Sequence, residues 1–202
     1  MLKPQRNCLF GGTFDPIHIA HLRIASEAVK RFELDSVLFI PAGNPPHKDS
    51  SGVTPYEDRF RMVELACEPY PKFTVSRMEE GQNHSYTVET LRRFRETMSP
   101  EDRLFFLIGS DAFDELHSWH QAERVIQLTE FIVVERPGHH YRVAEHALMH
   151  RLDGLALPVS SSGIRARLAD GEPTPELPPA VRNYIEERGL YGAHRADITA
   201  SP

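Results

Sequence analysis

Cysteine, long apolar runs and positive charge are all scarce in this sequence. Only two of its 202 residues are cysteine, Cys8 and Cys67. They lie far apart and form no Cys-x-x-Cys pair, so neither a disulfide framework nor a zinc site is indicated. Both sit in apolar runs and read as buried thiols. No apolar stretch approaches the roughly 20 residues that span a bilayer. The opening MLKPQRNCLF lacks the apolar core of a signal peptide. The chain is therefore expected to work in the cytoplasm, away from membranes. Lysine and arginine number 23 against 29 acidic residues, for a net charge of −6. A nucleic-acid binder carries a basic excess, so no nucleic-acid partner is expected. A small anionic ligand stays open, because a few local cations can hold one. No Ser-His-Asp or Cys-His arrangement stands in a recognisable context, and no carboxylate cluster is dedicated to a metal. What is present is ordinary for a globular protein, with 40% hydrophobic and 26% charged residues. The length suits one domain with a sizeable core.

Short apolar runs alternate with helical patterns. Asn7–Phe10, Ser36–Ile40, Phe73–Ser76, Arg103–Ile108, Phe131–Glu135 and Gly154–Pro158 read as strands. Helices are expected over His18–Arg31, from Thr54 to about Cys67, over Tyr86–Met98, near Ala112, and over Gln121–Gln127. Further helices are expected over Arg142–Leu152, Ser161–Asp170 and Ala180–Arg188. Thr54-Pro55-Tyr56-Glu57 has the form of a capping box. This alternation predicts an α/β fold, a Rossmann-like parallel sheet with helices on both faces in a single domain. Such sheets bind ligands beyond the C-terminal strand ends, where the strand order reverses. The polar stretches Gly11–His21, Ala42–Lys48, Gly109-Ser110-Asp111 and Ser160–Arg165 each follow a strand and can converge on one cleft.

In GGTFDPIHIAH, glycines after a strand let backbone N–H groups approach a phosphate. His18 and His21 lie about one turn apart at a helix start, a region favourable to anions. The plainer reading is a tight turn with two surface histidines. In VSSSGIR, serines satisfy the orphan N–H groups of a helix start, and Arg165 stands about one turn in, able to reach an anion there. The proline-stiff PAGNPPHK presents His47 and Lys48, or is simply a surface loop. His139, His140, His146 and His150 form a local cluster whose spacing suits a solvated loop and helix better than a metal site.

Gly11–His21 resembles the GGxFDPxHxGH opening of the nucleotidyltransferase superfamily, with Ala20 where glycine is usual. Alanine there slightly narrows the space over the phosphates. VSSSGIR resembles the ISSTxIR motif that binds triphosphate in the same superfamily. The PPHK loop, the Ser85-Tyr86-Thr87 segment and Gly109-Ser110-Asp111 with Leu116 and Trp119 are similar to the nicotinate mononucleotide adenylyltransferase family. The resemblance covers Phe10 to Tyr191. It implies a domain over residues 1–192, with residues 193–202 expected to be a disordered tail.

The resemblance further implies AMP transfer from ATP to nicotinate mononucleotide, releasing pyrophosphate. His18, His21 and Arg165 would stabilise charge on the triphosphate. Gly11, Gly12, Thr13, Phe14, Gly109, Asp111, Ser160, Ser161, Ser162 and Ile164 would line the ATP side. Asn44, His47, Lys48, Thr87, Trp119 and His120 would receive the mononucleotide. Trp119 as a core anchor and Asp111 as a helix cap remain the plainer alternatives. No residue is assigned to a metal, and Mg²⁺ would arrive on the ATP phosphates. A homo-oligomer is possible. Sister enzymes transferring to pantetheine phosphate, cytidylyltransferases, and a nucleotide-binding regulatory module are the competing readings.

Overall fold

The structure, a computed structural model, describes residues 3–43, 52–81, 86–135, 145–155 and 158–193. Strands β1 (Arg6–Gly12), β2 (Ser36–Pro41), β3 (Phe73–Val75), β4 (Arg103–Gly109), β5 (Glu130–Val134) and β6 (Met149–Leu152) form one sheet in the order β3-β2-β1-β4-β5-β6. Every neighbouring pair is parallel. Helices α1 (Ile19–Arg31), α2 (Tyr56–Cys67), α3 (Thr87–Arg95), α4 (Ser110–Asp114), α5 (Ala122–Leu128), α6 (Ser161–Ala169) and α7 (Pro179–Arg188) connect and follow the strands.

Successive strand side chains point to opposite faces, and the apolar residues divide accordingly. Cys8, Phe10, Val37, Phe39, Phe105, Leu107, Ile132 and Val134 share one core with Leu22 and Ala25 of α1, Met62 and Val63 of α2, Ile164 of α6 and Val181 of α7. Leu9, Ile40, Leu104, Phe106, Ile108, Phe131 and Val133 share the other with Val88 and Leu91 of α3, Phe113 of α4 and Val125 of α5. Continuous apolar strands are thus buried on both faces, as expected. Each large apolar side chain removed from water contributes roughly 1.5–3 kcal/mol. The chain runs outward from β1 to β3, then crosses to β4 and continues the other way. The reversal lies between β1 and β4, and the Gly11–His21 and Gly109–Asp111 segments leave the sheet there.

Three local expectations fail for physical reasons. Residues 149–152 form β6 rather than the end of a helix over Arg142–Leu152, and residues 142–144 lie outside the described residues. The open edge of β5 overrides local helix propensity here. Phe131 N–H donates to the Leu148 carbonyl at 2.8 Å, Leu152 pairs with Val134, and Leu152 is buried. The last strand therefore precedes Gly154–Pro158, where Gly154 turns the chain at φ 76° and residues 156–157 are not described. Nor does the capping box form at Thr54. Helix α2 starts at Tyr56 after Pro55, and Thr54 turns its hydroxyl to Tyr191 and its carbonyl to Arg59. The remaining helices keep their places within a few residues at their ends. Residues 194–202, most of the expected tail, lie outside the described residues.

Candidate active site

Strand β1 ends in Gly11-Gly12, and the chain then turns through Thr13-Phe14-Asp15-Pro16 into α1. A Cβ on Gly12 would lie 2.9 Å from the Phe14 ring. Glycine is needed there to seat that ring, which packs edge-on to Phe10 at 5.6 Å and against Phe39 at 5.8 Å. Phe14 is 3% exposed and adopts φ 49°. Its ring is core, and only its backbone can face a ligand. A Cβ on Gly11 would meet the Phe106 ring at an ordinary 3.6 Å. Thr13 is half-buried.

His18 caps α1 and His21 stands in its first turn. Their rings stack with centroids 3.8 Å apart. The His18 backbone N–H donates to His21 Nδ1 at 3.3 Å. A neutral His21 therefore carries its proton on Nε2. Burial pushes the His18 imidazole down to about 4, against the pull of Glu176, and burial holds His21 well below the usual histidine range, helped by His18. Both rings are neutral donors in the free protein rather than cations. Ala20 is buried.

Ser160 caps α6, its Oγ accepting from Gly163 N–H at 3.1 Å. Ser162 Oγ lies 3.2 Å from Ser160 Oγ and is exposed, whereas Ile164 is core. Ser161 Oγ donates to the Pro16 carbonyl at 3.0 Å, and Arg165 Nη1 donates to the Asp15 carbonyl at 2.7 Å. The two phosphate-like motifs, about 150 residues apart in sequence, are thus directly bonded. Gly109 caps α4 and is exposed, Ser110 is fully buried, and Asp111 is half-buried. All three sit at the end of β4, beside β1.

On the opposite core face, Trp119 is half-buried with its ring edge-on to Phe106 at 6.3 Å, so it is partly the anchor of the plainer reading. His120 is exposed and its ring lies 4.5 Å from Tyr86. Thr87 opens α3 directly after Tyr86. The structure therefore gathers Thr87, Trp119 and His120 in one region and adds Tyr86. Asn44, His47 and Lys48 lie outside the described residues. Of the histidine cluster, His150 joins Glu130 at 2.8 Å and His146 joins Glu145 at 3.6 Å, while His139 and His140 are not described.

Sequence reasoning missed the scaffold beneath the site. Arg59 is 1% exposed, and donates from Nη1 to the Thr13 carbonyl at 2.8 Å and from Nε to the Thr54 carbonyl at 2.9 Å. Asp15 is 4% exposed; its Oδ1 accepts from the Tyr191 hydroxyl at 2.6 Å and its Oδ2 from Thr54 N–H at 3.4 Å. A signal for Arg59 existed. It falls at helical spacing on the same face as Met62, Val63 and Ala66, where an arginine must have partners.

A parallel sheet that reverses its strand order between β1 and β4 is a Rossmann-like fold, which takes ligands at that switch point. The profile of the cytidylyltransferase-like family matches residues 9–167. A relative from Solibacter usitatus, named a probable nicotinate-nucleotide adenylyltransferase, is 49% identical over 91% of this chain and 97% of its own. One of the same name from Desulfitobacterium hafniense is 41% identical over 93% of this chain and 96% of its own. The chain belongs to the cytidylyltransferase-like family and, within it, to the nicotinate-nucleotide adenylyltransferases. The fold also matches a Plasmodium falciparum nicotinic acid mononucleotide adenylyltransferase complexed with NaAD, at a TM-score of 0.77 and 20% identity, covering 94% of this chain and 98% of that one.

Two outcomes are expected. Replacing Arg59 with Met leaves the part-buried Thr13 and Thr54 carbonyls without this donor and costs roughly 1–3 kcal/mol, read as a lower denaturation midpoint; an unchanged midpoint refutes the scaffold role. For the histidines, a depressed folded value means stability is complete above the unfolded value of about 6.5 and is lost as pH falls towards the folded one. For His18, dropping from pH 7.5 to 5 costs about 2 kcal/mol. Urea unfolding at both pH values should show a smaller drop in His18→Gln than in the parent.

Proposed function

We propose that the protein transfers AMP from ATP to nicotinate mononucleotide, yielding nicotinate adenine dinucleotide and pyrophosphate. The observation that carries this reading is the pair of bonds from Ser161 and Arg165 to the Pro16 and Asp15 carbonyls. They make one cradle of the α1 and α6 N-termini, and helix N-termini favour anions. The names of the relatives supply the substrate pair.

The acceptor phosphate is already an anion near neutral pH, so its oxygen attacks the α-phosphorus of ATP without a general base. The bond from that phosphorus to the oxygen bridging it to the β-phosphorus breaks, and the electron pair leaves with pyrophosphate on that oxygen. The protein's task is alignment and charge stabilisation. His18, His21 and Arg165 donate to the departing oxygens. Backbone N–H groups of Gly11, Gly12, Thr13 and Phe14, with Ser160, Ser161 and Ser162 seated by Ile164, cradle the triphosphate. Gly109 and Asp111 face the ATP ribose. Thr87, Trp119 and His120 receive the nicotinate ring, and Asn44, His47 and Lys48 the acceptor phosphate. Among the described residues no group of three His, Cys, Asp or Glu side chains is placed to hold a metal. Mg²⁺ would be carried on the phosphates and water, where it would neutralise charge on the leaving group. Residues 1–192 carry the reaction, in the cytoplasm, with no nucleic acid and no membrane involved; within the described residues no helix is long and apolar enough to cross one.

The test is pyrophosphate release that requires both ATP and nicotinate mononucleotide. Release with pantetheine phosphate as acceptor instead, or with CTP instead of ATP, would overturn the assignment. His21→Ala should lower kcat at least about a hundredfold, on the order of 3 kcal/mol, in a folded protein; near-parent turnover refutes the donor role. Trp119→Ala should raise KM for the mononucleotide more than for ATP. An equal rise for both favours the core-anchor reading.

A further inference from the structure

Two buried polar atoms beside the cradle lack a partner in the free protein, and they are chemically complementary. His18 Nδ1 and Glu176 Oε2 are both shielded from solvent and make no hydrogen bond. Glu176 lies in the connection between α6 and α7, outside both phosphate motifs. Its backbone is fixed at the start of α1, because Ile19 N–H donates to the Glu176 carbonyl at 2.9 Å. Its other carboxylate oxygen is held by Arg167 at 2.9 Å.

We propose that Glu176 is a positioning residue for His18: when the triphosphate is bound, its carboxylate accepts a hydrogen bond from His18 Nδ1, holding the ring as an imidazolium whose Nε2–H is directed at a phosphate oxygen. The proton comes from solvent on ligand binding, and no bond to carbon or phosphorus changes in the step. This inference rests on the triphosphate reading of the cradle. It also accounts for a glutamate whose second oxygen is buried without a donor, a costly state unless a partner arrives. Glu176 already pulls His18 towards the charged form and is itself lowered, first by Arg167 and further by His18. The other titratable and charged groups of this region are His21, stacked on His18, Arg165, bonded to the Asp15 carbonyl, Arg167, paired with Glu176, and Asp15 itself. Of these, Asp15 is engaged by Tyr191 and Thr54. Glu176 is the acidic group left to balance a charged ring.

The experiment follows the His18 imidazole by NMR titration in protein saturated with inorganic tripolyphosphate, with His18→Gln assigning the resonance. The titration midpoint in the parent should lie at least about one pH unit above that in Glu176→Gln, a tenfold difference in proton affinity. Turnover gives a second readout. In Glu176→Gln, kcat at saturating ATP should fall at least about tenfold at pH 8 but less than about threefold at pH 6, because kcat follows ionisations of the loaded site. Identical midpoints, or pH profiles that fall in parallel as a structural role requires, overturn the inference. Should Glu176→Gln not fold, Arg167→Met frees the carboxylate, and the His18 midpoint must rise; an unchanged or lower midpoint overturns the inference. Failure of the parent to bind tripolyphosphate overturns the triphosphate reading and this inference together. Binding with identical midpoints overturns this inference alone.

Discussion

A carboxylate taken out of water must be met by donors from wherever the chain can supply them. Asp15 is met from three distant segments. Tyr191 donates from beyond α7, Thr54 from the approach to α2, and Arg165 binds the Asp15 carbonyl from α6. Arg59 adds a second clamp on the same turn by holding the Thr13 carbonyl. The turn after β1 is therefore a junction rather than a loop, and the sheet's two core faces only bring its partners within reach. Once the turn is fixed, the histidines of α1 and the serines of α6 have no freedom to separate.

The neutral state of the two histidines changes how the cradle works. A pair of permanent cations would repel each other at 3.8 Å and would be costly to bury. Two neutral rings stack without that penalty and still present N–H donors. Neutral rings at this position also carry no fixed charge to balance while the turn is buried.

Much of this was legible from the sequence, and the exceptions share a cause. Strands such as Ser36–Ile40 and Arg103–Ile108 announce themselves because a strand buried on both faces needs an unbroken apolar run. The segments at residues 11–21 and 160–165 were legible because a strand-to-helix turn needs glycine, a helix start takes serine as its cap, and both stretches resemble motifs of one superfamily. Residues 149–152 were not, because Met149-His150-Arg151-Leu152 becomes a strand only when the edge of β5 is present to pair with it. Thr54 has the local form of a cap, yet Tyr191, far away in sequence, and Arg59, one turn into α2, outbid that role. Tyr191 and Glu176 carried no local sign at all. Their meaning lies in what they approach, and sequence order does not state it.

The junction at Asp15 joins the first strand to the last described turn of the chain. Residues 11–21 leave the ribosome early, whereas Arg165, Glu176 and Tyr191 emerge near the end. A nascent chain can assemble β1 to β5 with both helical layers begun, and still own only half of its cradle. The turn after β1 is thus completed only late in synthesis, when the final segment closes over what was made first.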